Sequence, residues 1–111
     1  MVRDTLLLRR DEARQARRLE VHAQVRRDLR AALEDLVPGA RVWVFGSLTE
    51  RGKFNDASDV DLVLEAEPVA MSAGRLSSEL TERLARPVDI VLLDRCRFRD
   101  KILREGELWT L

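Results

Sequence analysis

Three aspartates and one glycine-serine pair carry the chemistry that this sequence offers. From Asp59 to Glu65 the chain reads Asp-Val-Asp-Leu-Val-Leu-Glu. That alternation predicts a strand with Asp59 and Asp61 on one face and Val60, Leu62 and Leu64 on the other. Two strand rises set the aspartate Cα atoms roughly 7 Å apart. At an effective dielectric near 20, two such carboxylates repel by about 2 kcal/mol. A divalent cation between them reverses the sign, and magnesium suits the task because it is commonly held by one or two carboxylates plus substrate phosphates. Val88 to Leu93 repeats the parity: Val88, Ile90 and Leu92 share one face and Asp89 takes the other. If these strands are neighbours, Asp89 joins the pair. Three converging carboxylates fit metal-assisted displacement at phosphorus, in which two cations clamp the entering and leaving oxygens and a carboxylate takes the nucleophile's proton.

Gly46-Ser47 follows a short β-rich run, Arg41 to Phe45. A glycine lets the backbone approach a phosphate closely, while exposed amides and a serine hydroxyl bind its oxygens. Arg51 and Lys53, in the polar stretch that follows, add positive charge for a triphosphate. Taken singly, each feature has an ordinary reading: a Gly-Ser turn, a solvated strand end, an edge carboxylate, surface charges. Their order and spacing together shift the balance away from these ordinary readings.

Positioning such residues requires a small mixed fold. The 111 residues fit one domain, and a hydrophobic content of 45% supports a modest core. From about Asp4 to Leu36 there is no glycine or proline, and Ala16, Leu19, Ala23, Val25, Leu29, Ala32, Leu33 and Leu36 recur near helical spacing. This predicts one long helix, or two with a break near Arg9-Arg10, stopped by Pro38-Gly39. Strands are expected at Arg41 to Phe45, Asp59 to Glu65 and Val88 to Leu93. Helices are expected at Met71 to Leu84 and Phe98 to Arg104, and Glu107 to Leu111 reads as a last extended segment. The expected class is α/β (α+β): a mixed sheet with helices mainly on one face, organised as an N-terminal helical segment, 1–38, and a core, 39–111.

Composition narrows the function classes. Twenty basic and 20 acidic side chains cancel, so the global positive field of a dedicated nucleic-acid binder is missing. One cysteine, Cys96, and one histidine, His22, exclude an intrachain disulfide and a His/Cys zinc cluster. The N-terminus reads as neither signal peptide nor membrane span, which makes a reducing, cytoplasmic setting the expectation. His22 reads as a surface or packing residue, and Trp43 and Trp109 as core or edge-packing aromatics.

The segment from Val44-Phe45-Gly46-Ser47 through Ser58-Asp59-Val60-Asp61-Leu62, with Arg51-Gly52 between, resembles the Gly-Ser…Asp-x-Asp motif of the DNA polymerase β-like nucleotidyltransferases. It is most similar to their minimal nucleotidyltransferase branch, which includes antitoxins paired with HEPN-domain toxins. Pro87-Val88-Asp89-Ile90-Val91 looks like that branch's third-aspartate strand, and Ile102 to Leu108 like its usual closing segment. The resemblance covers about Arg41 to Leu111. The Ser47–Asp59 spacer is one residue longer than usual, the extra residue falling before Arg51, and the N-terminal helix lies outside the motif.

The resemblance implies a polymerase β-like fold in which Gly46 and Ser47 bind the triphosphate, with Arg51 and Lys53 as candidate phosphate ligands. Asp59 and Asp61 would ligate magnesium, two ions being expected, and Asp89 would complete the metal site or act as base. The implied reaction transfers a nucleoside monophosphate, AMP from ATP first among them, to an acceptor hydroxyl on a partner protein. A HEPN-type toxin is the implied partner, with a homo- or hetero-oligomer open. A templated polymerase is not expected, because the chain lacks room for domains that grip a primer. The alternative is a non-catalytic antitoxin acting by contact. Val63, Val91 and Leu93 share the aspartate face and suit either a partner or packing under the N-terminal helix.

Overall fold

The computed structural model describes residues 2–50 and 52–111, with side chains from Leu6 onward. The N-terminal segment forms one unbroken helix, α1 (Val2–Leu36), with no interruption at Arg9-Arg10. At 1.5 Å per residue it runs about 52 Å, most of the molecule's 59 Å long axis. Only its second half is packed. Residues 6–18 are all exposed, and burial begins at Val21 and continues through Val25, Leu29, Ala32 and Leu33. Of the apolar positions read from the sequence, Ala16 therefore faces solvent.

The remaining elements are β1 (Arg41–Phe45), a 3-10 turn (Gly46–Thr49), β2 (Val60–Leu64), α2 (Ala73–Leu84), β3 (Val88–Leu92), a second 3-10 turn (Leu93–Arg95), α3 (Arg99–Glu105) and β4 (Glu107–Thr110). Ser72 caps α2 by accepting the Arg75 amide. Ala85, in the left-handed region at φ 53°, ends that helix. The sheet order is β3-β2-β1-β4, with β2 and β3 parallel and β1 antiparallel to both neighbours. The expected mixed sheet and final edge strand are both present.

Alternation along the strands divides the core in two. Val42, Val44, Val60, Leu62, Leu64, Val88 and Trp109 pack with α1 and α2 on one face. On the other, Ile102 of α3 packs with Trp43, Val63 and Leu93, with Phe45 and Cys96 beside them. Val63 and Leu93 are thus buried under α3 rather than under the N-terminal helix, because α1 occupies the opposite face. Val91, beyond the reach of the seven-residue α3, stays 45% exposed. No described helix is long and apolar enough to cross a membrane.

Candidate active site

The strand register brings the aspartates together. Phe45 pairs with Asp61, and Asp61 pairs with Asp89, so these three residues form a row across β1, β2 and β3 on the α3 face. Asp59 precedes the first residue of β2 rather than lying within it. The Val60 amide donates to the Pro87 carbonyl, joining the entry of β2 to that of β3. Asp61 is half-buried, while Asp59 and Asp89 are exposed. Burial, then the negative charges of Asp89 and Asp59, push the Asp61 carboxyl above its ordinary value of 3.8. Asp89 and Asp59 therefore both act on Asp61 electrostatically. Among the described residues none of the three is in an ion pair, nor are three potential ligands drawn together as a ready-made metal cage.

Gly46 lies directly against this row. Its φ is +74°, and a Cβ built on it would come within 2.9 Å of the Asp61 Oδ2 atom. Both the backbone conformation and the closeness demand glycine. The turn it opens is braced from within and from α1. The Thr49 hydroxyl donates to the Gly46 carbonyl at 2.7 Å, and the Glu50 amide donates to the Ser47 carbonyl at 3.1 Å. Leu48 is wholly buried, and its carbonyl oxygen accepts from His22 Nε2 at 2.7 Å and Arg26 Nη1 at 3.2 Å. A carbonyl can only accept, so the His22 proton sits on Nε2. Arg26 also pairs with Glu107 at 2.7 Å and lies over the Trp109 ring. Hydrogen bonding from Arg26 holds the Glu107 carboxyl below its ordinary value of 4.5, with burial opposing and Trp109, Arg26 and Arg30 assisting.

The stretch from the turn to Asp59 is held at its far end by Arg86. The Arg86 guanidinium lies 4.8 Å over the buried Phe54 ring. Its Nη1 donates to the carbonyls of Asn55 at 3.1 Å and Ser58 at 2.9 Å. Its Nε is buried without a hydrogen-bond partner among the described residues. Gly52, at φ +88°, sits where a Cβ would meet the Gln15 amide at 2.8 Å, and Arg17 pairs with Asp56 at 3.4 Å. His22, Arg26 and Arg86 thus position the motif loop, yet no local spacing in the sequence marks them. Their partners lie 22 to 31 residues away. Lys53 is exposed and pairs with Glu50 at 3.3 Å. Arg51 lies outside the described residues.

Beside Gly46 opens a cleft of about 830 Å³ lined by Phe45, Gly46, Thr49, Glu50, Glu105, Gly106 and Glu107. A second, more apolar cleft of about 480 Å³ runs from Val37 to Arg41 and from Leu64 to Ala70, at the opposite end of β1 and β2 from Asp61. Gly46 and Asp61 meet at the first end. A divalent cation would fit hard oxygen donors of this kind, because its charge would offset the burial and the repulsion that raise Asp61.

A solved structure described as the crystal structure of a toxin-antitoxin with AMP-PNP is similar, with a TM-score of 0.59 and 21% identity. The match covers 77% of this chain and 73% of that one, and at this identity it shows the fold. No curated protein matches the chain. The family model described as the nucleotidyltransferase domain matches residues 26–108, from the packed half of α1 to β4. The chain belongs to the nucleotidyltransferase domain family.

Proposed function

We propose that this nucleotidyltransferase is an antitoxin-type enzyme that transfers the nucleoside monophosphate of ATP to a hydroxyl on a partner toxin of the HEPN kind, releasing pyrophosphate. One observation carries the reading. A glycine whose missing Cβ is required lies against Asp61, and Asp61 stands in register with Asp89 while burial and two carboxylates oppose its ionisation. Folding alone gains nothing from that arrangement, whereas a magnesium-bound triphosphate gains a complementary seat. The similarity to a toxin-antitoxin with AMP-PNP supports both the adenine nucleotide and the toxin partner.

In this reading Asp59 and Asp61 hold magnesium, with Asp89 completing the site. The metal, when bound, neutralises charge on the reacting phosphates. The Gly46 turn and the Ser47 hydroxyl receive the triphosphate oxygens, with Arg51 and Lys53 as further phosphate ligands. Asp89, the exposed member of the row, takes the acceptor hydroxyl's proton as its oxygen attacks the α-phosphorus.

Incubation with α-labelled ATP, magnesium and the candidate toxin tests the proposal. Label is expected on the toxin and is expected to vanish with Asp59→Ala. If ATP does not bind at millimolar concentration, the nucleotide site is refuted. Tight toxin binding without label would instead favour neutralisation by contact. That second reading has its own support: residues 6–18 of α1 are exposed, and Leu6, Leu7 and Leu8 are each more than half exposed.

A further inference from the structure

The aspartate row has one neighbour whose sequence position gave no hint of it. Lys101 lies on α3, the helix that covers the aspartate face of the sheet. Its Nζ is 6.0 Å from the centroid of the Phe45 ring. Phe45 pairs with Asp61 and immediately precedes Gly46. Paired strands lie about 5 Å apart, so the residue beside the ammonium, Phe45, borders both Asp61 and Gly46. The chain has only two lysines, and the other, Lys53, lies in the loop after the Gly46 turn.

Resting on the nucleotidyl-transfer reading, we infer that Lys101 is a ligand of the β- and γ-phosphates and neutralises pyrophosphate as it leaves. The chemistry favours this residue type. An ammonium is a compact charge on a flexible stem, able to follow a departing group, where the planar arginine fork is suited to a fixed one. In the transfer, the acceptor oxygen bonds to the α-phosphorus while the bond from that phosphorus to the bridging oxygen breaks. The electron pair leaves with pyrophosphate, and the acceptor's proton passes to Asp89. Lys101 acts by charge alone and takes no part in the proton transfer. The Phe45 ring stands at the outer range of a cation–π contact with the ammonium.

The test is calorimetric binding of ATP and of AMP, both with magnesium, to wild type, Lys101→Met and Lys101→Arg, with the melting temperature of each. Methionine keeps the stem's packing on Phe45 and removes the charge. It is expected to weaken ATP binding about tenfold, the size of one lost charge-assisted contact. AMP binding and the melting temperature should stay at wild-type values, and arginine should restore most of the ATP affinity. Unchanged ATP affinity in Lys101→Met, or equal weakening of ATP and AMP, overturns the assignment while leaving nucleotidyl transfer standing. A wild type that binds no ATP overturns both.

Discussion

Asp61 and Glu107 flank the same end of β1, paired with Phe45 on one side and Val44 on the other, and they face opposite sides of the sheet. On the α1 side, Glu107 meets Arg26, Arg30 and the Trp109 indole N–H, and its carboxyl is held below the ordinary range. On the α3 side, Asp61 meets burial and two further carboxylates, and its carboxyl is pushed up. The chain has as many cations as anions, so the lack of a partner for Asp61 among the described residues is not a shortage of positive charge. One carboxylate ties β4 to α1 and helps to hold the turn. The other is disfavoured in its ionised form, the electrostatic pattern expected of a group proposed to meet a cationic ligand rather than of a structural ion pair.

The sharpest way to break this contrast is Asp61→Asn, which keeps shape and removes the charge. Transfer activity is expected to fall by about 100-fold or more, since removing even an outer support of a metal ligand costs roughly 10- to 100-fold. The ligand-free protein should melt a few degrees higher than wild type, because a disfavoured ionised group has gone. Loss of activity with a lower melting temperature would mean that Asp61 is a structural residue and that the contrast is false.

Arg26→Ala attacks the other side. It removes the ion pair to Glu107, one of two donors to the Leu48 carbonyl, and the stacking on Trp109. With the ion pair discounted for exposure, the loss is expected to be about 1 kcal/mol, a fall of roughly 4–8 °C for a domain of this size. ATP binding should weaken severalfold as the Gly46 turn loosens. A drop in stability with unaltered ATP affinity would separate Glu107 and its partners from the site.

Part of the candidate site was legible because strand parity is a local rule. Asp61 and Asp89 could each be assigned a face from alternation, and their register followed once β2 and β3 were neighbours, whereas Asp59, read as the first strand residue, precedes β2. The extent of α1 on the sheet was not legible. A four-stranded sheet is about 20 Å wide and its longest strands, of five residues, are about 17 Å long, so only about half of a helix of about 52 Å can lie on it. Helical periodicity continues past that limit and cannot mark it. Nor could the sequence say which helix covers Val63 and Leu93, since that depends on α1 and α2 having filled the other face. His22, Arg26 and Arg86 escaped notice for a related reason: each grips a backbone carbonyl, and a carbonyl is present at every position whatever the side chain.

The smallest effect, and the most direct measure of opposed signs, lies in the pH dependence of stability. Glu107 has a folded-state pKa lowered from 4.5. Its stabilisation is therefore fully present above that unfolded value and is lost as pH falls through the lower, folded one. Asp61 has a folded-state pKa raised from 3.8. Its contribution favours the fold below that value and is lost as pH rises through the raised one. Urea unfolding of ligand-free wild type, Glu107→Gln and Asp61→Asn across the acid range should show the two variants diverging from wild type in opposite directions toward neutral pH. Glu107→Gln is expected to be less stable there by under about 1 kcal/mol, an exposed ion pair being screened by solvent, and to converge on wild type in acid. Asp61→Asn should also meet wild type in acid, where Asp61 is protonated, and then gain on it as pH rises. If both variants shift the same way, the two carboxylates share one environment, and Asp61 loses the electrostatic distinction that marks it as a ligand-binding group.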